Sequence, residues 1–97
     1  MNIFDFGIPK AGETFTTLLE HRNIKINRIV SSDTLEPAAY CQKEDEWLVL
    51  LEGEATLLLE DETKLLKKGD TLFIPANTSH TVLKTAGGTL WLTVHIY

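Results

Sequence analysis

Few side chains in this sequence have chemistry to offer. It holds three histidines (His21, His80 and His95), one cysteine (Cys41) and two short acidic runs, Glu44-Asp45-Glu46 and Glu60-Asp61-Glu62. A carboxylate and an imidazole brought together can move a proton. The same two groups are ligands for iron, zinc, nickel and manganese. Two of these residues stand at the heads of apolar runs: Glu46 leads into Trp47-Leu48-Val49-Leu50, and His80 opens His80-Thr81-Val82-Leu83. Each stands at the start of an extended run, where alternate side chains share a face, so an inward His80 takes Val82 inward with it. The plainer alternative is a hydrogen-bonded pair in a polar pocket, which can bind a ligand or transfer protons without a metal.

The elements that must position this pair are strands. Ile24-Lys25-Ile26-Asn27-Arg28-Ile29-Val30 alternates, with Ile24, Ile26, Arg28 and Val30 on one face and Lys25, Asn27 and Ile29 on the other. Further strands follow on either side of Gly53, around the acidic turn at 60–62, after Gly69-Asp70 and up to Pro75. Two more run from His80 and from Thr89 to the C-terminus, separated by Gly87-Gly88. About seven short strands punctuated by turn residues indicate an all-β sandwich or closed barrel. Gly53 reads as a tight hairpin turn. Residues 1–22 read as an N-terminal arm with a short helix at 13–20 packing on the barrel, because Phe15, Leu18 and Leu19 fall at i, i+3 and i+4. The barrel itself reads as residues 23–97.

Two segments, Asp45–Asp61 and Lys67–Val82, together resemble the cupin family of small jelly-roll barrels. The first motif ends in Glu46, with Gly53 seven residues on; the second has Gly69, Pro75 and His80 at the family's offsets, with Asn77 where a glycine is usual. Asn tolerates the left-handed conformation better than most residues. In metal-binding cupins the first motif supplies two histidines and the glutamate, and the second a third histidine. Counting back from Glu46, the two histidine positions fall on Tyr40 and Gln42.

The resemblance therefore implies a site made of Tyr40, Gln42, Glu46 and His80. Two readings stay open. In one, Gln42, Glu46 and His80 hold a divalent transition metal (iron, nickel, zinc or manganese). In the other there is no cofactor, Glu46 and His80 are catalytic or binding groups, and Tyr40 and Gln42 position a small polar molecule. A neutral amide is a weak ligand for these metals, and a phenol binds well only when deprotonated, against an ordinary pKa near 10.

Other residues read first as structural. His95 shares a strand face with Trp91 and Thr93 and reaches the pocket only if that face is inward. Cys41 lies between two inward positions and points away. Glu44 shares the Glu46 face nearer the rim, and Trp47 points outward, to a subunit interface or beneath the N-terminal helix.

Composition narrows the partners. The net charge is −5, with no basic stripe, which disfavours nucleic acid. No apolar run is long enough to span a bilayer, and the N-terminus lacks the basic start and apolar core of a signal peptide. These features suggest a cytoplasmic protein. A domain of 97 residues gains from burying more surface, and cupins often dimerise, so the expected partners are a small-molecule ligand and a second copy in a homodimer. An enzyme, a binding module and a structural dimer all fit the sequence.

Overall fold

A computed structural model describes residues 1–97 as nine antiparallel strands: β1 (Glu13–His21), β2 (Ile24–Ser31), β3 (Ala39–Tyr40), β4 (Asp45–Glu52), β5 (Glu54–Leu59), β6 (Glu62–Lys67), β7 (Thr71–Ile74), β8 (His80–Thr85) and β9 (Thr89–Ile96). They form a five-stranded sheet in the order β1-β2-β9-β4-β7 and a four-stranded sheet in the order β3-β8-β5-β6. The chain passes from sheet to sheet at every connection except β1–β2 and β5–β6, as a jelly roll does. Between the sheets Leu48, Leu50, Ala55, Leu57, Leu66, Ile74 and Trp91 form one core.

The expected helix at 13–20 is absent; these residues form β1, the edge strand beside β2. The cause is local. Thr14, Thr16 and Thr17 are β-branched and favour strand. The register with β2 slips between Thr17 and Leu19, a β-bulge at Leu18. One inserted residue breaks the two-residue alternation, so the apolar positions mimic a helical spacing.

Gly53 is also not a hairpin turn. β4 and β5 lie in different sheets, so Gly53 is the corner between them. Its φ is 91°, and a Cβ there would come within 2.8 Å of the Thr89 Cα, so the corner closes only around a residue without a side chain. The true hairpin is β5–β6, where Leu59 pairs with Glu62 across Glu60-Asp61.

Residues 1–12 lie over one end of the outer face of the five-stranded sheet. Arg28 is buried there, and its guanidinium donates to the backbone carbonyls of Asp5 (2.9 Å) and Ile3 (3.4 Å). Ile8 reaches the β8–β9 turn, against Gly88. Val30 and Leu90, paired neighbours on that face, are sealed from solvent.

Candidate functional site

The inner faces of the two sheets enclose a cavity of about 270 Å³, and the strand alternation decides what faces it. From the five-stranded sheet, β2 contributes Lys25, Asn27 and Ile29, β9 contributes Trp91, Thr93 and His95, and β4 contributes Glu46 and Leu48. His80 and Val82 come from β8 in the opposite sheet, and Leu57 lies beside them on β5. The floor is apolar (Leu48, Leu57, Ile74, Val82 and Trp91) and the upper wall polar.

All four residues singled out in the sequence line this cavity: Tyr40, Gln42, Glu46 and His80. Glu46 and His80 are only 6% and 8% exposed, so both are held almost entirely within the protein. The Gln42 Nε2 donates to Glu46 Oε1 at 2.9 Å, which fixes the carboxylate's orientation. Gln42 is itself fixed, because the Asn77 N–H donates to its backbone carbonyl at 2.7 Å. Asn77 has φ 60°, the left-handed conformation expected of it. Ala76 N–H donates to the Asp45 side chain at 2.8 Å, so two bonds tie the loop after β7 to the segment carrying Gln42 and Glu46.

His80 Nδ1 lies 3.2 Å from the Thr78 carbonyl. A carbonyl only accepts, so Nδ1 is the donor in this contact, and Nε2 is left without a partner in the protein. Tyr40 pairs with His80 across β3 and β8, with ring centroids 6.0 Å apart, but is 55% exposed and so belongs to the rim. Cys41 is exposed, as its position between inward residues requires.

Three further groups belong to the site. The Trp91 face of β9 is the inward one, and His95 comes with it: Nδ1 lies 3.0 Å from Glu44 Oε2 and Nε2 lies 3.3 Å from Thr93 Oγ1. Glu44 also holds Tyr97, whose hydroxyl is pushed above its ordinary 10.0 by desolvation first, then by the charge and hydrogen bond of Glu44. Alternation along β9 carried the signal for His95, but it left open which face was inward. The second group is Asn27, whose Oδ1 is buried without a hydrogen-bond partner in the cavity wall. The third is Glu13, which accepts from Ser31 Oγ, which in turn accepts from Trp91 Nε1 at 2.9 Å. Glu13 lay in the segment read as helix, so nothing in the sequence placed it at a barrel wall.

This donor set does not fit a resident metal. The four positions that the resemblance assigns to one supply a single imidazole and a single carboxylate, and no three His, Cys, Asp or Glu side chains come together as a metal-holding group. The second histidine of the cavity, His95, is turned to Glu44 and Thr93.

Comparison with known proteins agrees with this architecture. No curated protein sequence matches the chain significantly. Among solved structures, a Ralstonia eutropha JMP134 protein carrying the provisional name mannose-6-phosphate isomerase superposes with a TM-score of 0.87 at 31% identity, covering 99% of this chain and 95% of its own. A cupin superfamily protein from Desulfitobacterium hafniense DCB-2 gives 0.82 at 20% identity, over 94% of this chain and 83% of its own. KdgF from a Halomonas species gives 0.82 at 14% identity, over 95% and 88%, a likeness of fold. The cupin domain model matches residues 33–95, which takes in β3 to β9 and every residue of the Tyr40–Gln42–Glu46–His80 constellation. The chain belongs to the cupin family.

Proposed function

We propose that this protein binds a small molecule in its barrel cavity without a resident metal, with Glu46 and His80 as the anchoring pair, Gln42 orienting Glu46 and Tyr40 at the rim. The observation that carries this reading is the placement of Glu46 and His80: both are buried, on facing sheets, and they line one cavity. Burying ionisable groups is costly unless they are partnered. Each has one partner, Gln42 for Glu46 and Thr78 for His80, and each keeps one atom, Glu46 Oε2 and His80 Nε2, for a ligand.

A second reading is catalytic. Glu46 can take a proton from one atom of a small molecule and, as the carboxylic acid so formed, return it to another, with His80 hydrogen-bonded to the same molecule; a proton shift within one molecule needs no more. The provisional isomerase name of the Ralstonia eutropha protein fits that class of reaction. Its phosphorylated sugar does not carry over to this cavity, where Glu13, Glu44 and Glu46 face a single lysine, Lys25, and would repel a phosphate.

The test is a ligand-observed NMR screen of small polar molecules against chelator-treated protein, beside elemental analysis of untreated protein. Hits are expected to compete for one site, to survive chelation and to be lost in Glu46→Gln, in His80→Gln or in both. Hits that persist in both variants refute the site. Hits lost on chelation and restored by iron, nickel, zinc or manganese return the metal to Gln42, Glu46 and His80. Turnover of a hit that stops in either variant establishes the catalytic reading.

A further inference from the structure

We propose that the ligand of this cavity is a small primary amine, bound as its ammonium ion and carried on an apolar body. The inference deepens the binding reading above and rests on it. Three features lead to it.

The first is charge. Three carboxylates, Glu13, Glu44 and Glu46, line the cavity against one ammonium, that of Lys25. Low-dielectric walls focus that field on whatever enters.

The second is hydrogen-bond polarity. Glu46 Oε2 is an acceptor with no partner of its own, and His80 Nε2 is a second in the tautomer whose Nδ1 donates to Thr78. A buried acceptor left unpaired is costly, and a ligand rich in N–H donors satisfies it. An ammonium head offers three. A carboxylate or phosphate offers none and meets acceptors with acceptors.

The third is shape. The floor of Leu48, Leu57, Ile74, Val82 and Trp91 suits a hydrocarbon body. Three aromatic side chains on the rim, Phe15, Tyr40 and Tyr97, are exposed although they line the cavity. Aromatic faces stabilise a cation within about 6 Å of the ring. At roughly 30 Å³ for a water-sized group, the cavity takes about nine or ten non-hydrogen atoms.

The test uses three probes that share one ring: cyclohexylmethylamine, cyclohexylmethanol and cyclohexanecarboxylate. Trp47 and Trp91 are the only tryptophans, so the 15N-labelled protein gives two indole N–H signals. Trp91 lines the cavity and Trp47 does not, which makes Trp47 the internal control. The amine is expected to shift the Trp91 signal saturably and leave Trp47 unmoved. The alcohol should bind about tenfold more weakly and the carboxylate more weakly still, since a buried charge pair is lost with the ammonium. Glu46→Gln should weaken the amine by about tenfold or more and leave the alcohol where it was.

An alcohol or carboxylate that binds as tightly as the amine overturns the ligand class while the site stands, provided Glu46→Gln or His80→Gln abolishes that binding. An amine that binds equally well in both variants removes Glu46 and His80 from the site, and the proposal falls with the binding reading it rests on. If no probe moves Trp91, both readings fall. The ranking of probes on the unaltered protein needs no variant, so it holds whether or not the variants fold.

Discussion

Two neighbouring rows of the five-stranded sheet, one on each face, are built from the same strands and have opposite characters. One row of the inner face runs Lys25, His95, Glu46 and Ile74 across β2, β9, β4 and β7. The neighbouring outer row runs Leu19, Ile26, Val94, Trp47 and Phe73 across all five strands. The enclosed row is largely charged and the outer row is wholly apolar, the reverse of the usual rule. Polar groups are tolerated inside because a cavity lies between the sheets there, and because partners such as Gln42 and Glu44 hold them. The apolar row is only partly covered: Leu19 is 49%, Trp47 38% and Phe73 51% exposed. The N-terminal arm covers the other end of this face, at Arg28, Val30 and Leu90. A row that is apolar across every strand and left open suits a partner's surface, and we propose that the homodimer expected from the sequence uses it, with Trp47 as anchor.

Three variants test this contrast, from the largest expected effect to the smallest. Leu50→Ala removes a fully enclosed side chain below the cavity and should cost about 2–5 kcal/mol in chemical denaturation. A loss below about 1 kcal/mol would mean the floor is loosely packed and the cavity is not a fixed shape. On the outer face, Trp47→Ser combined with Phe73→Ser should leave the folded monomer largely intact and lower the sedimentation coefficient from dimer to monomer. A coefficient that does not change removes this row from any interface. The smallest effect concerns the rim. Glu44→Gln takes away the charge that raises the Tyr97 hydroxyl, so phenolate absorbance should titrate Tyr97 nearer its ordinary 10.0. Desolvation, the larger cause, remains, so the return should be partial. No movement would mean that Glu44 is engaged by His95 alone.

Much of this was legible in the chain. The apolar alternation of residues 24–30 and 89–96 gave strands, and the motif offsets from Glu46 to His80 gave the cupin resemblance and four residues that line one cavity. The misreadings share a physical origin. The bulge at Leu18 turned an edge strand into an apparent helix, and Gly53, read as a local turn, is a corner between sheets. Both features depend on what a segment packs against, which a short window of sequence does not contain.

By itself the sequence determined the strands at 24–30 and 89–96 and the place of Glu46 and His80 at the heads of alternating runs. Those follow from side-chain type and the two-residue period, which are local; that Tyr40 and Gln42 stand where metal-binding cupins carry histidines came from the family resemblance. Tertiary structure alone decided which face of β9 is inward, and with it the place of His95. It also brought Glu13 and Asn27 to the wall holding Glu46, and left three aromatic side chains open at the rim. Those outcomes depend on how strands distant in sequence register against one another, and one residue of slip would turn each of them to the other face.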